Sequence, residues 1–300
     1  MYPLKFEPIY KERIWGGRKM ASLLQRKLPE GKIGESWELS GYGGDVSRVV
    51  NGALAGKDLN ELMKDYREKL LGETAARLTE FPLLIKIIDA NDKLSLQVHP
   101  ADSVLGNGKT EAWYVAEAEP GAQIIYGLKA GVDRARLEQV MQEGRILDSI
   151  KTVTVKKGDL VFVPAGMIHA LLEGVVVYEV QQSSDTTYRL YDYDRVAANG
   201  ARRELHIDQA LDAVDFSAEA SVDFSQPVHC PYFSLEAIQC AGEKQLATQG
   251  AFMILCITEG RGKIEYQGGS ESVAAGETLL IPACLDQIRI IGAMNVLQIR

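Results

Sequence analysis

The 300-residue sequence predicts a mainly β protein folded as two jelly-roll barrels with a few helices. Strand-like runs dominate it: LLIKIID, KLSLQVHP, AWYVAEA, QIIYGL, TVTVKKGDLVFVPAG and VVVYEVQQ are rich in β-branched residues, often alternate, and end at Gly, Pro or Asp. A weak internal repeat doubles the pattern. GDLVFVPA (158–165) returns as GETLLIPA (276–283), an offset of 118 that keeps Gly, an acid, two apolar positions, Pro and Ala in register. Upstream, AWYVAEAEPGAQIIYG (112–127) aligns with FMILCITEGRGKIEYQ (252–267) at an offset of 140. A chain of this length also exceeds the usual span of one hydrophobic core.

A hairpin, a glycine turn, a strand closed by Pro-Ala and a further strand together read as a cupin-like barrel. The two offsets differ by about the length of a helix-bearing insertion at 131–150. The expected order is a mixed segment, 1–80, packing on the first barrel; a metal-bearing barrel, 80–197; a helical linker, 198–224; and a second barrel, 225–300. Helical periodicity marks 58–72, 132–144 and 208–214, each opened by an Asp suited to capping.

With 46% hydrophobic and 25% charged residues, the chain is neither disordered nor membrane-embedded in character. A net charge of −8 argues against a nucleic-acid partner, which needs a clustered positive field. The first residues carry charges and a proline where a secretory signal needs an apolar stretch, so a cytoplasmic protein is expected. Cys230, Cys240, Cys256 and Cys284 show no metal-finger spacing and read as free, mostly buried thiols. Nothing in the sequence signals an oligomeric state.

The chain has four histidines, and two of them fall where chemistry is expected. Gln97 and His99 stand two apart in LSLQVHP, so they share a face of the strand. Glu111 opens the AWYV strand, and His169 follows the VPAG turn. On converging strands, two imidazoles, a carboxylate and an amide oxygen suit zinc, with manganese, iron and nickel also chemically admissible. The second repeat places roughly Ile238, Ala251 and Gln287 where His99, Glu111 and His169 stand: a barrel without a site. His206, beside a helix start, and His229, in a linker-like stretch, are read as structural or surface residues.

An anionic substrate needs cations nearby. Lys86 lies in the apolar strand LLIKII, where an ammonium is costly unless it has a partner or a cavity. Lys109 precedes Glu111 by two and shares its orientation, whereas Lys93 reads as a turn residue. Arg189 alternates with Tyr188 and Leu190; if those point outward, Arg189 points inward, where it can clamp a phosphate or stabilise an enediolate. The competing reading pairs it with Asp185 or Asp192, while Arg195 is assigned to a loop.

The combination of KERIWGG, GESWELS, FPLLIKIIDANDKLSLQVHPAD, GKTEAWYV, VPAGMIHAL and SSDTTYRLYDYDR resembles the short bacterial type I mannose-6-phosphate isomerases across most of the chain. The resemblance implies a pair of cupin barrels, one Zn2+ held by Gln97, His99, Glu111 and His169, an active-site arginine at Arg189 and substrate-binding lysines at Lys86 and Lys109. It further implies an aldose–ketose isomerase acting on a small anionic sugar phosphate, mannose 6-phosphate, through a cis-enediol. A metal-bound water, a pocket carboxylate or a neutral lysine such as Lys109 is the candidate base. The chain lacks the large helical insertion that longer members carry between QVHP and the ligand Glu. A cupin metal oxygenase and a non-catalytic sugar-binding cupin are the alternative readings, since one fold hosts many chemistries.

Overall fold

Alternation of side chains along each strand sorts the buried residues into layers. The computed structural model describes residues 1–73, 77–102, 107–196, 200–218 and 222–300. Among these, a six-stranded antiparallel sheet runs in the order Ile9–Gly17, Ile33–Leu39, Leu83–Ala90, Val175–Gln182, Glu111–Ala118, Leu160–Val163. A five-stranded sheet runs Tyr188–Tyr191, Leu96–Val98, His169–Leu171, Gln123–Leu128, Ile150–Thr154. Trp113, Val115, Val175 and Val177 of the first sheet share one apolar cluster with Ile124, Tyr126 and Leu171 of the second, so these faces enclose the first barrel.

The alternate residues Val176, Tyr178 and Val180 point the other way. They join Ile85, Ile87 and Tyr114, the helix Leu59–Leu71, and Ile254, Leu280 and Ile299 of the second barrel in a cluster that welds the two barrels together. The six-stranded sheet is thus buried on both faces, which explains its long apolar runs. The outer face of the five-stranded sheet, with Leu96, Val98, Ile168 and Leu190, is covered by helices Arg134–Gln142 and Ile207–Ala213.

The second barrel is built on the long strands Ser234–Ala247, Met253–Tyr266 and Gln287–Ile299. The mainly β, cupin-type fold read from the sequence is borne out, and the repeat is visible in it. Strand Leu160–Val163 follows Gly158 at φ +94°, and Thr278–Ile281 follows Gly276 at φ +89°, a left-handed turn that glycine adopts freely. Val163 pairs with Glu111 and Ile281 with Met253, so the counterpart of Glu111 is Met253, two residues beyond the expected Ala251.

The first 80 residues, expected on the first barrel, contribute to both. Ile9–Gly17 and Ile33–Leu39 extend the six-stranded sheet, while Leu4–Lys5 pairs with Thr278–Ile281 on the edge of the second barrel. A two-residue strand has no periodicity to read. Two of the three capping aspartates act as expected. Asp58 and Glu61 form a reciprocal capping box, and Asp133 accepts from the Arg136 backbone N–H at 2.8 Å. In the third helix Asp208 lies inside the first turn, and His206 occupies the cap position without a side-chain cap bond.

Of the linker expected at 198–224, residues 198, 199 and 219–221 lie outside the described residues. The four cysteines are free thiols; Cys240 and Cys256 are buried, but Cys284 is exposed. No helix among the described residues is long and apolar enough to cross a membrane.

Candidate metal centre and active site

Arg189 and His169 both face Gln97, one from each neighbouring strand, and Tyr126 follows His169 on the next strand. Directly opposed residues share a face of a sheet. Leu96, Val98, Leu190 and Ala170 fill the outer cluster, which leaves Gln97, Arg189 and His169 for the inside of the barrel. On the opposing sheet Glu111, Lys86 and Glu179 occupy the alternation positions of Trp113, Ile88 and Val177, and so face the same interior. His99 lies just past its strand end, where Gly166 N–H donates to its carbonyl at 2.9 Å.

His99 Nδ1 lies 2.9 Å from the Thr186 carbonyl, and His169 Nδ1 lies 2.9 Å from the Met167 carbonyl. Each bond places the proton on Nδ1 and leaves the Nε2 lone pair facing the barrel interior. His99 Nε2 is 3.3 Å from Glu111 Oε2, and His169 Nε2 is 3.4 Å from Glu111 Oε1. All three residues are buried, and their ligating atoms lie within 4.8 Å of one another. His99 Nε2 and Glu111 Oε1 accept no hydrogen bond, while Glu111 Oε2 faces the Lys109 ammonium at 2.9 Å. Orphaned buried acceptors of this kind cost on the order of 1–3 kcal/mol each. Their convergence on one point fits a cation, and two imidazoles with a carboxylate suit zinc. The Gln97 amide stands 3.3 Å from His169 Nε2, and a half-turn of that amide presents its oxygen to the same point.

Beside this cluster lies a cavity of about 380 Å³, lined by Gln97, Lys86, Lys109, Glu179, Arg189 and Arg13 among others. Lys109 Nζ is 2.9 Å from Glu111 Oε2 and 3.8 Å from Glu179 Oε1. Lys86 Nζ is 3.2 Å from Asp185 and 3.6 Å from Glu179, and lies 5.0 Å from the ring centre of Trp37. The Arg189 guanidinium donates to Ser95 Oγ at 3.2 Å and to the Glu204 carbonyl at 2.7 Å. The pairing with Asp185 or Asp192 does not form. Among the described residues, Asp192 is taken by Arg195 at 2.6 Å and Arg203 at 2.8 Å, and Asp185 by Lys86.

The family model for the type I phosphomannose isomerase catalytic domain matches residues 3–121, and that for the mannose-6-phosphate isomerase cupin domain matches residues 224–300. The mannose-6-phosphate isomerase ManA of Bacillus subtilis (strain 168) is 34% identical over 310 residues, covering 97% of this chain and 96% of that protein. The chain belongs to the type I phosphomannose isomerase family. The crystal structure of the mannose 6-phosphate isomerase from Bacillus subtilis superposes on all of this chain with a TM-score of 0.93 at 32% identity, covering 100% of that chain. A zinc-bound mannose 6-phosphate isomerase, 18% identical with a TM-score of 0.81, covers all of this chain and 99% of its own and shares the fold.

Within this phosphomannose isomerase fold, electrostatics divides the site. Burial, then the neighbouring Lys109 charge, pushes His99 down to about 3, and burial likewise lowers His169, so both imidazoles stay neutral. Burial alone raises the Glu111 carboxyl, but the Lys109 charge outweighs it and holds the group well below the usual carboxylate range. Burial followed by the Glu111 charge raises Glu179. Lys109 is raised, because Glu111, Glu179 and Asp185 overcome its desolvation. These carboxylates favour its ammonium form.

Sequence reasoning missed Glu179, whose Oε2 accepts from Trp113 Nε1 at 3.0 Å. The signal was present: an acid within VVVYEVQQ is as costly as the lysine within LLIKII. It also missed the Arg13–Glu35 pair, bidentate at 2.7 and 3.1 Å, which lines the cavity from the amino-terminal strands. His206, set aside on sequence grounds, accepts the Arg189 backbone N–H on Nδ1 at 3.2 Å. His229 is exposed. Lys93 lies 4.1 Å from the ring centre of Tyr193, away from this cluster.

Proposed function

We propose that the chain interconverts mannose 6-phosphate and fructose 6-phosphate, with one zinc ion held by Gln97, His99, Glu111 and His169. The observation that carries this reading is the convergence of the buried His99, Glu111 and His169 donor atoms within 4.8 Å of one another, beside a cavity furnished with cations. Zinc bound there supplies Lewis-acid polarisation of the sugar carbonyl. The remaining work falls to the protein's own groups.

Isomerisation moves a proton between C1 and C2 through a cis-enediol. Lys109, held as a cation between Glu111 and Glu179, is placed to donate a hydrogen bond to a sugar oxygen. Glu179 Oε1 accepts no hydrogen bond, and a raised carboxyl beside two lysines is suited to taking and returning the proton. Arg189 lies next to Gln97 and carries no carboxylate partner among the described residues, so its charge is available to the developing enediolate or to the phosphate. Lys86 adds a second cation to the wall that receives an anionic substrate.

The cytoplasm is taken as the compartment, a reading supported by four cysteines that remain free thiols. A coupled assay of mannose 6-phosphate conversion, run before and after chelation and again with zinc restored, tests the proposal. Conversion that disappears on chelation and returns with zinc is expected. Activity indifferent to chelation, or oxygen uptake in place of isomerisation, defeats it.

A further inference from the structure

Strand Tyr188–Tyr191, which carries Arg189, is the edge strand of the five-stranded sheet. An edge strand has one row of backbone groups without a strand partner, and its position is correspondingly weakly specified. At Arg189 both groups of that row are satisfied by one residue. The Arg189 N–H donates to His206 Nδ1 at 3.2 Å, and the Arg189 carbonyl accepts from the His206 backbone N–H at 2.8 Å. Since these groups face away from strand Leu96–Val98, Arg189 and Gln97 form the non-hydrogen-bonded kind of antiparallel pair, in which side chains approach most closely.

The same segment holds the other end of the side chain, because the Glu204 carbonyl accepts from the Arg189 guanidinium at 2.7 Å. His206 is itself anchored. It stands at the head of helix Ile207–Ala213, whose Ala210 and Leu211 are buried in the outer cluster with Leu190. Its ring lies 6.3 Å from that of Tyr188. The fixed helix therefore reaches the guanidinium through one imidazole and two backbone bonds.

We propose that His206 is a positioning residue: in its neutral form with the proton on Nε2, it replaces the missing neighbouring strand and holds Arg189 beside Gln97. This role rests on the isomerase reading for its catalytic consequence but not for its geometry. It assigns His206 the opposite tautomer from His99 and His169, whose Nδ1 atoms donate to carbonyls.

Two measurements test it. In the coupled assay, His206→Ala lowers kcat about fivefold, the loss expected for one hydrogen bond, with KM changed less than twofold. His206→Asn, whose amide oxygen can accept the same N–H, recovers most of that loss. In an Arg189→Ala background His206→Ala costs less than twofold more, because the group it positions is gone. A loss that is additive in the double variant, or one seen only in thermal stability with kcat unchanged, overturns the proposal. Independently of turnover, nitrogen-15 spectra of the wild-type protein report the tautomer. A proton on Nε2 of His206 is expected, and a proton on Nδ1 refutes the role. If the wild type fails to convert mannose 6-phosphate, the isomerase reading falls, and the tautomer alone then decides the positioning claim.

Discussion

Gln97 and His169 are register partners on adjacent antiparallel strands, and 3.3 Å separates the Gln97 amide nitrogen from His169 Nε2. That pairing sets one wall of the candidate metal centre on strand backbone, with Glu111 reaching both imidazoles from the facing sheet. The catalytic consequences follow from what each group loses when replaced.

His99→Ala and His169→Ala remove proposed ligands, and each is expected to lower bound zinc and kcat by about 100-fold or more, since even outer-shell partners are worth about 10–100-fold. Metal analysis of the purified variants beside the coupled assay checks this. His229→Ala, at an exposed position, keeps both at the wild-type level.

Arg189→Ala is expected to lower kcat by about 10²–10³-fold with a much smaller change in KM, as for loss of a group that acts on charge developed in the transition state. Steady-state kinetics decides. A rise in KM with kcat preserved assigns Arg189 to uniform substrate binding instead.

Glu179→Gln removes the proposed proton acceptor and keeps the shape. The expected fall in kcat is about 10²–10⁴-fold, with zinc content unchanged. Exchange of the substrate C2 hydrogen into deuterated water is lost in parallel.

Glu35 links acidity to stability. Burial pushes its carboxyl up, but Lys86 and Arg13, with hydrogen bonds from Arg13 and Trp37, bring it down to about 2 from 4.5. A depressed carboxylate stabilises the fold fully above its unfolded value and loses that contribution as pH falls through the folded one. Glu35→Gln is therefore expected to cost about 1–3 kcal/mol at pH 7, a deficit that shrinks between pH 4.5 and 2. Urea unfolding at stepped pH measures it.

Chelation is expected to lower Tm as well as activity, because an ion bound only by the folded state stabilises it by about 2.7 kcal/mol at 100 times Kd. Thermal unfolding with and without added zinc reads the shift. A Tm unmoved by chelation and by zinc means that the donor cluster holds no ion.

The strands, the repeat and two of the helix caps were legible because they depend on local rules: period-2 alternation, glycine turns and an aspartate before a helix. Gln97 and His99 were legible as a same-face pair for the same reason, and Tyr188 and Leu190 around Arg189 likewise carried the alternation that turned Arg189 inward. Glu179 was equally legible as an acid in an apolar strand and was passed over. What lay beyond local rules was pairing at long range. The strand Leu4–Lys5 finds its edge more than 270 residues away, and Arg13 meets Glu35 because two amino-terminal strands join the first barrel's sheet.

The sequence by itself determined which side chains share a face of each strand, since the period of a strand is set by covalent geometry. Only the tertiary structure decided their charge states and partners. Lys109 is drawn toward its ammonium form because Glu111 and Glu179 close around it, Arg189 escaped Asp192 because Arg195 and Arg203 occupy that carboxylate, and His206, read as a structural or surface residue, stands at the back of Arg189. Coulomb and hydrogen-bond energies depend on distances between residues far apart in the chain, and those distances exist only once the sheets have closed.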